Sequence, residues 1–506
     1  MNCYSTWKLL FGVIGILCIL SNDASDALAA KTRPNVLLII TDEHNFRTLG
    51  CYRDLMPREQ AEMWGLGAVV PTPNFDRLAK EGVICTRAYA TAPVCSPCRA
   101  AMITGRYPHM TGVVTNNLVL DRTIPTLADR LNDAGYRTAF MGKWHLGGNG
   151  KPEWQPKVDG GFRFTKFMFN RGHWKKFDIK DGKPFIAARK GKQPTYGVDG
   201  ANNKTFSTDW LTDRAIDFIT NKDAKEPFFT VISYPDPHGP NTVRAPYDQR
   251  FDDLPFRAPR TYRSGKPSPK WLGPAKKHPV FRGNDMSRYF GMVQCLDDNI
   301  GRLLSEMDEA GRLENTLIVM TSDHGDLCYE HDRLNKGNPY EGSARVPMIF
   351  RHPKLITADQ VYTDPVGTVD LTPTVMGLLS LDSNPKDQGR DLSSKLSGKQ
   401  ETQPDVRPIT FLRNSGTKPQ WLAAIDARFK LIISVNDEPW LFDNRKDPDE
   451  LENAYHKPEM KADVERLAKA LCEYGTQMKD PHLANEKIAA SLQTILGAKT
   501  VCQSSE

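Results

Sequence analysis

The sequence has no long basic tract and no recurring alternation of aromatic and basic residues, although its 506 residues carry a formal net charge of +6. Its basic clusters are short, as in "HWKKFD" and "GPAKKHP". A nucleic-acid platform is therefore excluded, while a mildly cationic rim around an anionic ligand is not. Compositional bias is missing too. With 25% charged and 39% hydrophobic residues, the chain lacks the signature of disordered or fibrous proteins and has enough apolar material for one large domain and a smaller one. No second cysteine pair lies near Cys95 and Cys98, which argues against a structural zinc site.

A membrane-length apolar run is also lacking. The stretch "LLFGVIGILCIL" follows Lys8, is short for a span, and is followed by the polar "SNDASD" and the small residues of "DALAA". This pattern reads as an export signal over residues 1–29 with cleavage near Ala29, an uncleaved anchor being the alternative. The mature protein is expected to be periplasmic or secreted, with no stable membrane span. Losing Cys3 and Cys18 leaves eight of the ten cysteines. In an oxidising compartment Cys51, Cys85, Cys98, Cys295, Cys328, Cys472 and Cys502 are candidates for pairing, with connectivity open.

What is present is a series of apolar runs that end in charged residues. "NVLLIITDEH" stops at Asp42 and Glu43, "YRTAFMGKWHLG" at Lys143 and His145, "PFFTVISYPDPHGP" at His238, and "NTLIVMTSDHGD" at Asp323 and His324. Continuous Val, Leu and Ile predict strands buried on both faces. Between them lie helical patterns such as "TPNFDRLAKEG", "TIPTLADRLNDAG", "DWLTDRAIDFITNK" and "MVQCLDDNIGRLLSEMDEAG". Strand and helix in alternation predict an α/β fold with a large mixed, mainly parallel sheet sandwiched by helices. Ligands bind such sheets beyond the carboxyl ends of the strands, so the four charged endings are expected to converge on one site.

Residues 151–205 and 239–284 lack periodicity and read as excursions that shape a pocket. The catalytic domain is expected over 33–400. Beyond it, "RPITFL", "WLAAID", "FKLIISV", "PWLFD" and the helical "MKADVERLAKALCEYGTQM" predict a smaller antiparallel sheet with a helix, a second domain over 401–506.

The run Cys95, Pro97, Arg99, Thr104, Gly105 and Arg106 resembles the signature of the type I, formylglycine-dependent sulfatases of the alkaline phosphatase-like superfamily. "GKWHLG", "PHGP", "TSDHGD", "NKGNPYEGSARVPMIF" and "LFDNRKDPDELEN" resemble further blocks of that family, in order, over roughly residues 34–455. "TDEHNFRTLGCY" and "TSDHGD" are similar to iduronate-sulfatase-like members. Embedding in this signature disfavours a redox role for the C-x-x-C. The resemblance implies that a formylglycine-generating maturation enzyme oxidises Cys95 to formylglycine. One hydroxyl of the hydrated aldehyde would attack sulfur, and the other would collapse to eject sulfate, which a serine ester cannot do. Cys98 would be a bystander. A helix starting at "SPCRAAMITG" would add N–H donors and a positive end to the nucleophile.

By the same resemblance Asp42, Glu43, Asp323 and His324 would hold one divalent cation that also touches residue 95. Arg99 and Lys143 would brace the nucleophile, His145 would serve as the base of the collapse, and His238 and Lys336 would bind sulfate and protonate the leaving oxygen. Asp-Glu stands where the family usually has Asp-Asp or Asp-Gln, and Asp-His is a minority form. Calcium is the family default, and the imidazole leaves manganese and magnesium open. Singly, each residue also reads as an ordinary surface charge, cap or hydrogen-bonded histidine. His44, His109, His173 and His331 carry no assigned role and read as loop residues or substrate contacts.

The implied function is hydrolysis of sulfate esters, with a sulfated small molecule or saccharide as substrate. Trp, Lys and Arg in the excursions favour a carbohydrate. The alternatives are a phosphomonoester or phosphonate-ester hydrolase on the same scaffold, and an inactive protein that binds sulfated glycans.

Overall fold

The computed structural model describes residues 33–273, 279–399 and 408–497. The expected export signal, the boundary between residues 400 and 401, and Cys3, Cys18 and Cys502 lie outside the described residues.

The apolar runs form strands covered on both faces. In β1 (Asn35–Asp42) every residue is buried. Val36, Leu38 and Ile40 enter one core, and Leu37 and Ile39 enter the other, as the period of two requires. The sheet is completed by β2 (Val83–Cys85), β3 (Arg137–Lys143), β4 (Met168–Phe169), β5 (Phe228–Pro237), β6 (Thr316–Ser322), β7 (Met348–Arg351) and β8 (Gln360–Tyr362). Its order is β8-β2-β7-β6-β1-β5-β3-β4. The run β6-β1-β5-β3-β4 is parallel. β7 is antiparallel to both its neighbours, and β8 is parallel to β2. The sheet is thus mixed and mainly parallel.

Helices cover both faces. On one side α1 (Pro73–Lys80), α4 (Ser207–Ile219) and α5 (Gly283–Glu309) contribute Phe75, Leu211 and Ile300 to the core behind Leu37 and Ile39. On the other, α2 (Cys95–Thr104) and α3 (Leu127–Asp133) contribute Met102 and Leu131. Thr126 and Asp129 start α3 with a reciprocal capping box.

Four consecutive strands across this sheet, β6, β1, β5 and β3, point the same way. Their carboxyl ends therefore lie along one edge, where Asp42 and Lys143 are the last strand residues and His238 and Asp323 follow directly. The first excursion carries a hairpin, Phe177–Lys180 paired with Lys183–Ile186.

A second, four-stranded antiparallel sheet consists of β9 (Thr410–Arg413), β10 (Trp421–Ile425), β11 (Phe429–Ser434) and β12 (Trp440–Asp443). It packs against α6 (Lys461–Gln477) and a further helix, α7 (Glu486–Leu496). Ala101 of α2 shares this core with Leu422, Leu431 and Leu467, so the small sheet braces the helix that carries Cys95. Cys51, Cys85, Cys95, Cys98, Cys295 and Cys328 are free thiols, while Cys472 is disulfide-bonded. Among the described residues no helix is long and apolar enough to cross a membrane.

Candidate active site

Cys95 is the first residue of α2. Extended backbone at Val94 turns the chain into the helix, and Gly105, at φ 68°, ends it in the left-handed region. Pro97 lies in the first turn, where backbone N–H groups have no intrahelical acceptor, so its missing donor costs nothing. The side chain of Cys95 consequently sits at the positive end of a ten-residue helix. Its Sγ lies 3.2 Å from His324 Nε2, 3.7 Å from Lys143 Nζ and 4.0 Å from Asp42 Oδ1. Burial pushes this thiol up, but Lys143, Lys336 and His324 outweigh it and hold the group well below its ordinary range.

Arg99, one helical turn on, ties the strand ends together. Its Nε donates to Asp323 Oδ2 at 2.8 Å and its Nη2 to Asp42 Oδ2 at 3.1 Å. Its Nη1 donates to Lys143 O and Ser233 Oγ, both at 2.7 Å. Lys143 Nζ also donates to Asp42 Oδ2. Burial raises the Asp42 carboxyl, yet Lys143, with His238 and Arg99, leaves it far below the usual carboxylate range. Asp323 is raised, first by burial and then by the Asp42 charge.

Asp42, Cys95, Asp323 and His324 each offer one donor atom, all within 4.8 Å of one another, and all four residues are buried. Two buried carboxylates at this separation demand a positive charge. Burial disfavours protonated His324, but Asp323 pushes its imidazole up to about 9. The set offers two carboxylate oxygens, one sulfur and one imidazole nitrogen, and it is compatible with a single divalent cation that displaces the His324 proton.

Glu43 turns elsewhere. It adopts φ 64°, which directs its carboxylate away from the four-residue cluster to Lys336 Nζ at 2.9 Å and His238 Nε2 at 3.0 Å. Lys336 Nζ and His238 Nε2 are themselves 2.7 Å apart. Burial raises Glu43, but His238 and Lys336 more than reverse this and keep it ionised. The side chains of His238 and Lys336 retain 13% and 16% exposure, so the site opens to solvent on their side. His145, at φ 62°, places Nε2 3.3 Å from Asn117 Oδ1, and its carbonyl accepts from Ser96 Oγ at 2.7 Å. Burial lowers its affinity for protons and favours the neutral imidazole.

The structure thus brings all ten sequence-selected residues to one edge, with Glu43 on the Lys336–His238 side of it. It adds His173, read from sequence only as a loop residue or substrate contact. The His173 ring lies on that of His238, centroids 3.4 Å apart and planes within 9°, and its Nε2 is 2.8 Å from Lys143 Nζ. Burial, then Lys143 and His238, holds His173 well below its ordinary value, so it stays neutral. Its position in a stretch without periodicity left no signal beyond the residue type. Among the other histidines, His44 is held between Thr41 and Thr48, His109 lies beside Asp480, and His331 stacks on Tyr340.

Asp42, His173 and His238 form a second trio with donor atoms within 4.8 Å. Two ammonium groups occupy that space: Lys143 on Asp42 and His173, Lys336 on His238. This half of the site suits an anion, whereas the other half suits a cation.

A family model described as sulfatase matches residues 34–381, and one described as N-sulphoglucosamine sulphohydrolase, C-terminal, matches residues 329–477. The chain is 27% identical to an N-acetylglucosamine-6-O-sulfatase of Bacteroides thetaiotaomicron, over 88% of this chain and 87% of that one. A solved structure in complex with its substrate, D-glucosamine-2-N,6-O-disulfate, superposes with TM-score 0.69 at 24% identity, covering 90% of this chain and 99% of that one. A phosphonate monoester hydrolase of Silicibacter pomeroyi shares the fold, with TM-score 0.67 at 22% identity, covering 89% and 97%.

Proposed function

Because the chain belongs to the sulfatase family and is a sulfuric-ester hydrolase, we propose that it removes sulfate from a carbohydrate, using residue 95 as formylglycine and one divalent cation, in an exported protein. The observation that carries this reading is the division of one strand edge into a cation-binding half around Asp42, Cys95, Asp323 and His324 and an anion-binding half around Lys143, His238 and Lys336.

Asp42, Asp323, His324 and residue 95 are the groups that would hold the cation, with Glu43 adjacent. Calcium is the family default, and the His324 nitrogen keeps manganese and magnesium in contention. Bound there, a divalent cation offsets the charge of a sulfate oxygen and lowers the pKa of a nearby hydroxyl. Formylglycine, made from Cys95 by a maturation enzyme, supplies a hydroxyl nucleophile that can be regenerated at each turnover.

The chain's own residues do the rest. Arg99 fixes Asp42 and Asp323 relative to each other through two of its donor atoms, Nη2 and Nε, and so sets the width of the cation half. Lys143, held between Asp42, Cys95 and His173, keeps a positive charge beside the nucleophile. Lys336 and His238 bind the sulfate oxygens, and His238 Nε2, shared in the free protein between Glu43 and Lys336, delivers a proton to the departing sugar oxygen. Its Nδ1 lies 2.8 Å from Gly239 O, which orients the ring for that task. His145, neutral beside residue 95, takes the proton that must leave the nucleophile's second hydroxyl.

A saccharide substrate is supported by the names of relatives such as the N-acetylglucosamine-6-O-sulfatase. The phosphonate- and phosphomonoester alternative shares the scaffold, but two lysines stand where a second metal would be needed for the two-metal phosphatase pattern. A glycan-binding protein without activity would have no use for the ordered Arg99 and Lys143 contacts around Cys95. The test is sulfate release from a panel of sulfated saccharides, beside matched phosphate and phosphonate esters, by protein made with a maturation enzyme. Faster turnover of the phosphorus esters than of every sulfate ester would overturn the reading.

A further inference from the structure

The excursion over residues 151–205 does more than supply His173. Of the four consecutive residues Arg171, Gly172, His173 and Trp174, Arg171 and His173 reach the site, and Gly172 and Trp174 shape the turn that presents them. Gly172 adopts φ 115°, and a Cβ there would lie 2.4 Å from Trp174 Nε1, so the turn requires glycine. Trp174 Nε1 donates back to Arg171 O at 3.0 Å and closes the turn. Asn170, just before it, is pinned by Gly147 N at 2.9 Å and by its own donation to Gly150 O at 2.9 Å. The loop is therefore held against the segment that carries His145.

On this rigid base Arg171 points at the catalytic edge. Its Nη1 donates to Asn117 Oδ1 at 2.7 Å, and that same oxygen is 3.3 Å from His145 Nε2. Arg171 Nε is buried without a partner, and among the described residues the guanidinium faces no carboxylate. At the other end of the loop, exposed Lys151 holds Nζ 5.1 Å from the centroid of Tyr196 and 5.5 Å from that of Trp174, also without a carboxylate partner among the described residues. Tyr196 lies 6.0 Å from His173, which stacks on His238. Glu153, the acid nearest in sequence, faces Asn170. Two cations thus flank the anion half of the site with no carboxylate among the described residues to neutralise them, and a buried guanidinium N–H left unpaired is unfavourable unless a ligand completes it.

We propose that Arg171, with Asn117 and Lys151, forms a subsite for a second anionic group of the substrate, a carboxylate or a further sulfate on the same or the adjoining sugar. The guanidinium fork matches either group, and the Tyr196 face flanks the sugar between them. The proposal rests on the sulfatase reading and sharpens it: the preferred substrate carries two negative groups, of which one is removed and the other is held.

The mature, matured-cysteine protein would be assayed on a monosulfated monosaccharide, its disulfated counterpart and its uronate-linked disaccharide, with Arg171→Gln and Lys151→Gln as variants. Lys151 is exposed, so its replacement leaves folding intact even where Arg171→Gln does not. Wild type is expected to prefer one of the two doubly charged substrates, and which one identifies the anion as sulfate or carboxylate. Arg171→Gln should raise KM for that substrate roughly 10- to 100-fold, with kcat changed much less, and the monosulfated sugar should lose about tenfold less than that. Equal losses on singly and doubly charged substrates in both variants, or no wild-type preference for two charges, would overturn the subsite and leave Arg171 as a support for Asn117. Should no sugar release sulfate, the reaction assignment fails instead. The subsite is then judged by calorimetric binding of the same saccharides to Cys95→Ser protein with and without the Arg171 change: an unchanged affinity for the doubly charged sugars overturns it.

Discussion

Glu43 Oε2 and His238 Nε2 stand 3.0 Å apart, with Lys336 Nζ closing the triangle at 2.9 Å from Glu43 Oε1 and 2.7 Å from the imidazole nitrogen. The buried carboxylate thus aims the two groups to which the proposed function assigns the sulfate. Glu43→Gln is expected to retain the divalent cation while KM for sulfate esters rises, because the ammonium and imidazole lose the charge that orients them. Asp323→Ala, by contrast, should lose the cation. Elemental analysis of the purified variants decides the matter: cation loss in Glu43→Gln equal to that in Asp323→Ala would make Glu43 a ligand.

Chelation should abolish turnover, and re-addition of Ca²⁺, Mg²⁺ and Mn²⁺ separately should restore it to different extents, since His324 offers nitrogen where a purely oxygen site would favour calcium. Undiminished activity after exhaustive chelation, with cation content measured on the same sample, would remove the metal from the account.

His238→Ala should slow sugar sulfates far more than nitrophenyl sulfate, whose leaving group departs readily as an anion. General-acid catalysis is typically worth about 10²- to 10⁴-fold, so the two losses should differ by a factor in that range. His145→Ala acts after the alcohol has left and should slow both substrates alike. Equal losses for the His238 variant would restrict that residue to sulfate binding.

The strand endings were legible because a parallel strand buried on both faces has to be a continuous apolar run, so the first charged residue marks its carboxyl end: Asp42, Lys143 and Asp323 follow from that rule, whereas the third run continues past buried Asp236 to Pro237 before His238 follows. The small antiparallel sheet was legible from its short apolar runs, whereas the helix start at Cys95 was expected only from the stretch "SPCRAAMITG" within the family resemblance, because all ten of its residues are buried and leave no polar face to read. Glu43 was legible as a site residue at the first strand end, but the direction of its side chain was not, because it depends on a positive φ that a non-glycine residue seldom adopts. Arg171 and His173 were hidden as well. They lie in a stretch with no periodicity, and only the turn at Gly172 and the pinning of Asn170 bring them to the site. The α7 helix escaped notice at the end of the chain, where its packing partners come from the distant second sheet.

A pH effect on stability is expected from His352, remote in sequence from the site. Its Nδ1 accepts from the backbone N–H groups of Lys354 at 3.1 Å and Leu355 at 3.2 Å, which requires that nitrogen to be unprotonated. Burial, helped by Arg351, lowers its pKa from 6.5 to about 4. Between those values the unfolded chain binds more protons than the folded one, so this contribution is intact above 6.5 and is lost as pH falls towards 4. His352→Asn keeps an acceptor but does not titrate. Urea unfolding at neutral and at mildly acidic pH should show wild type losing more stability than the variant, by on the order of 1 kcal/mol. Parallel losses in the two proteins would contradict the assignment.

The most direct test of the central claim is the mass of the peptide that contains "APVCSPCR", taken from protein made together with a maturation enzyme. Conversion of the Cys95 thiol to an aldehyde predicts a peptide about 18 Da lighter than the unmodified sequence, with Cys98 unchanged. A peptide that carries only unmodified Cys95, from a preparation that nevertheless turns over sulfate esters, would contradict it.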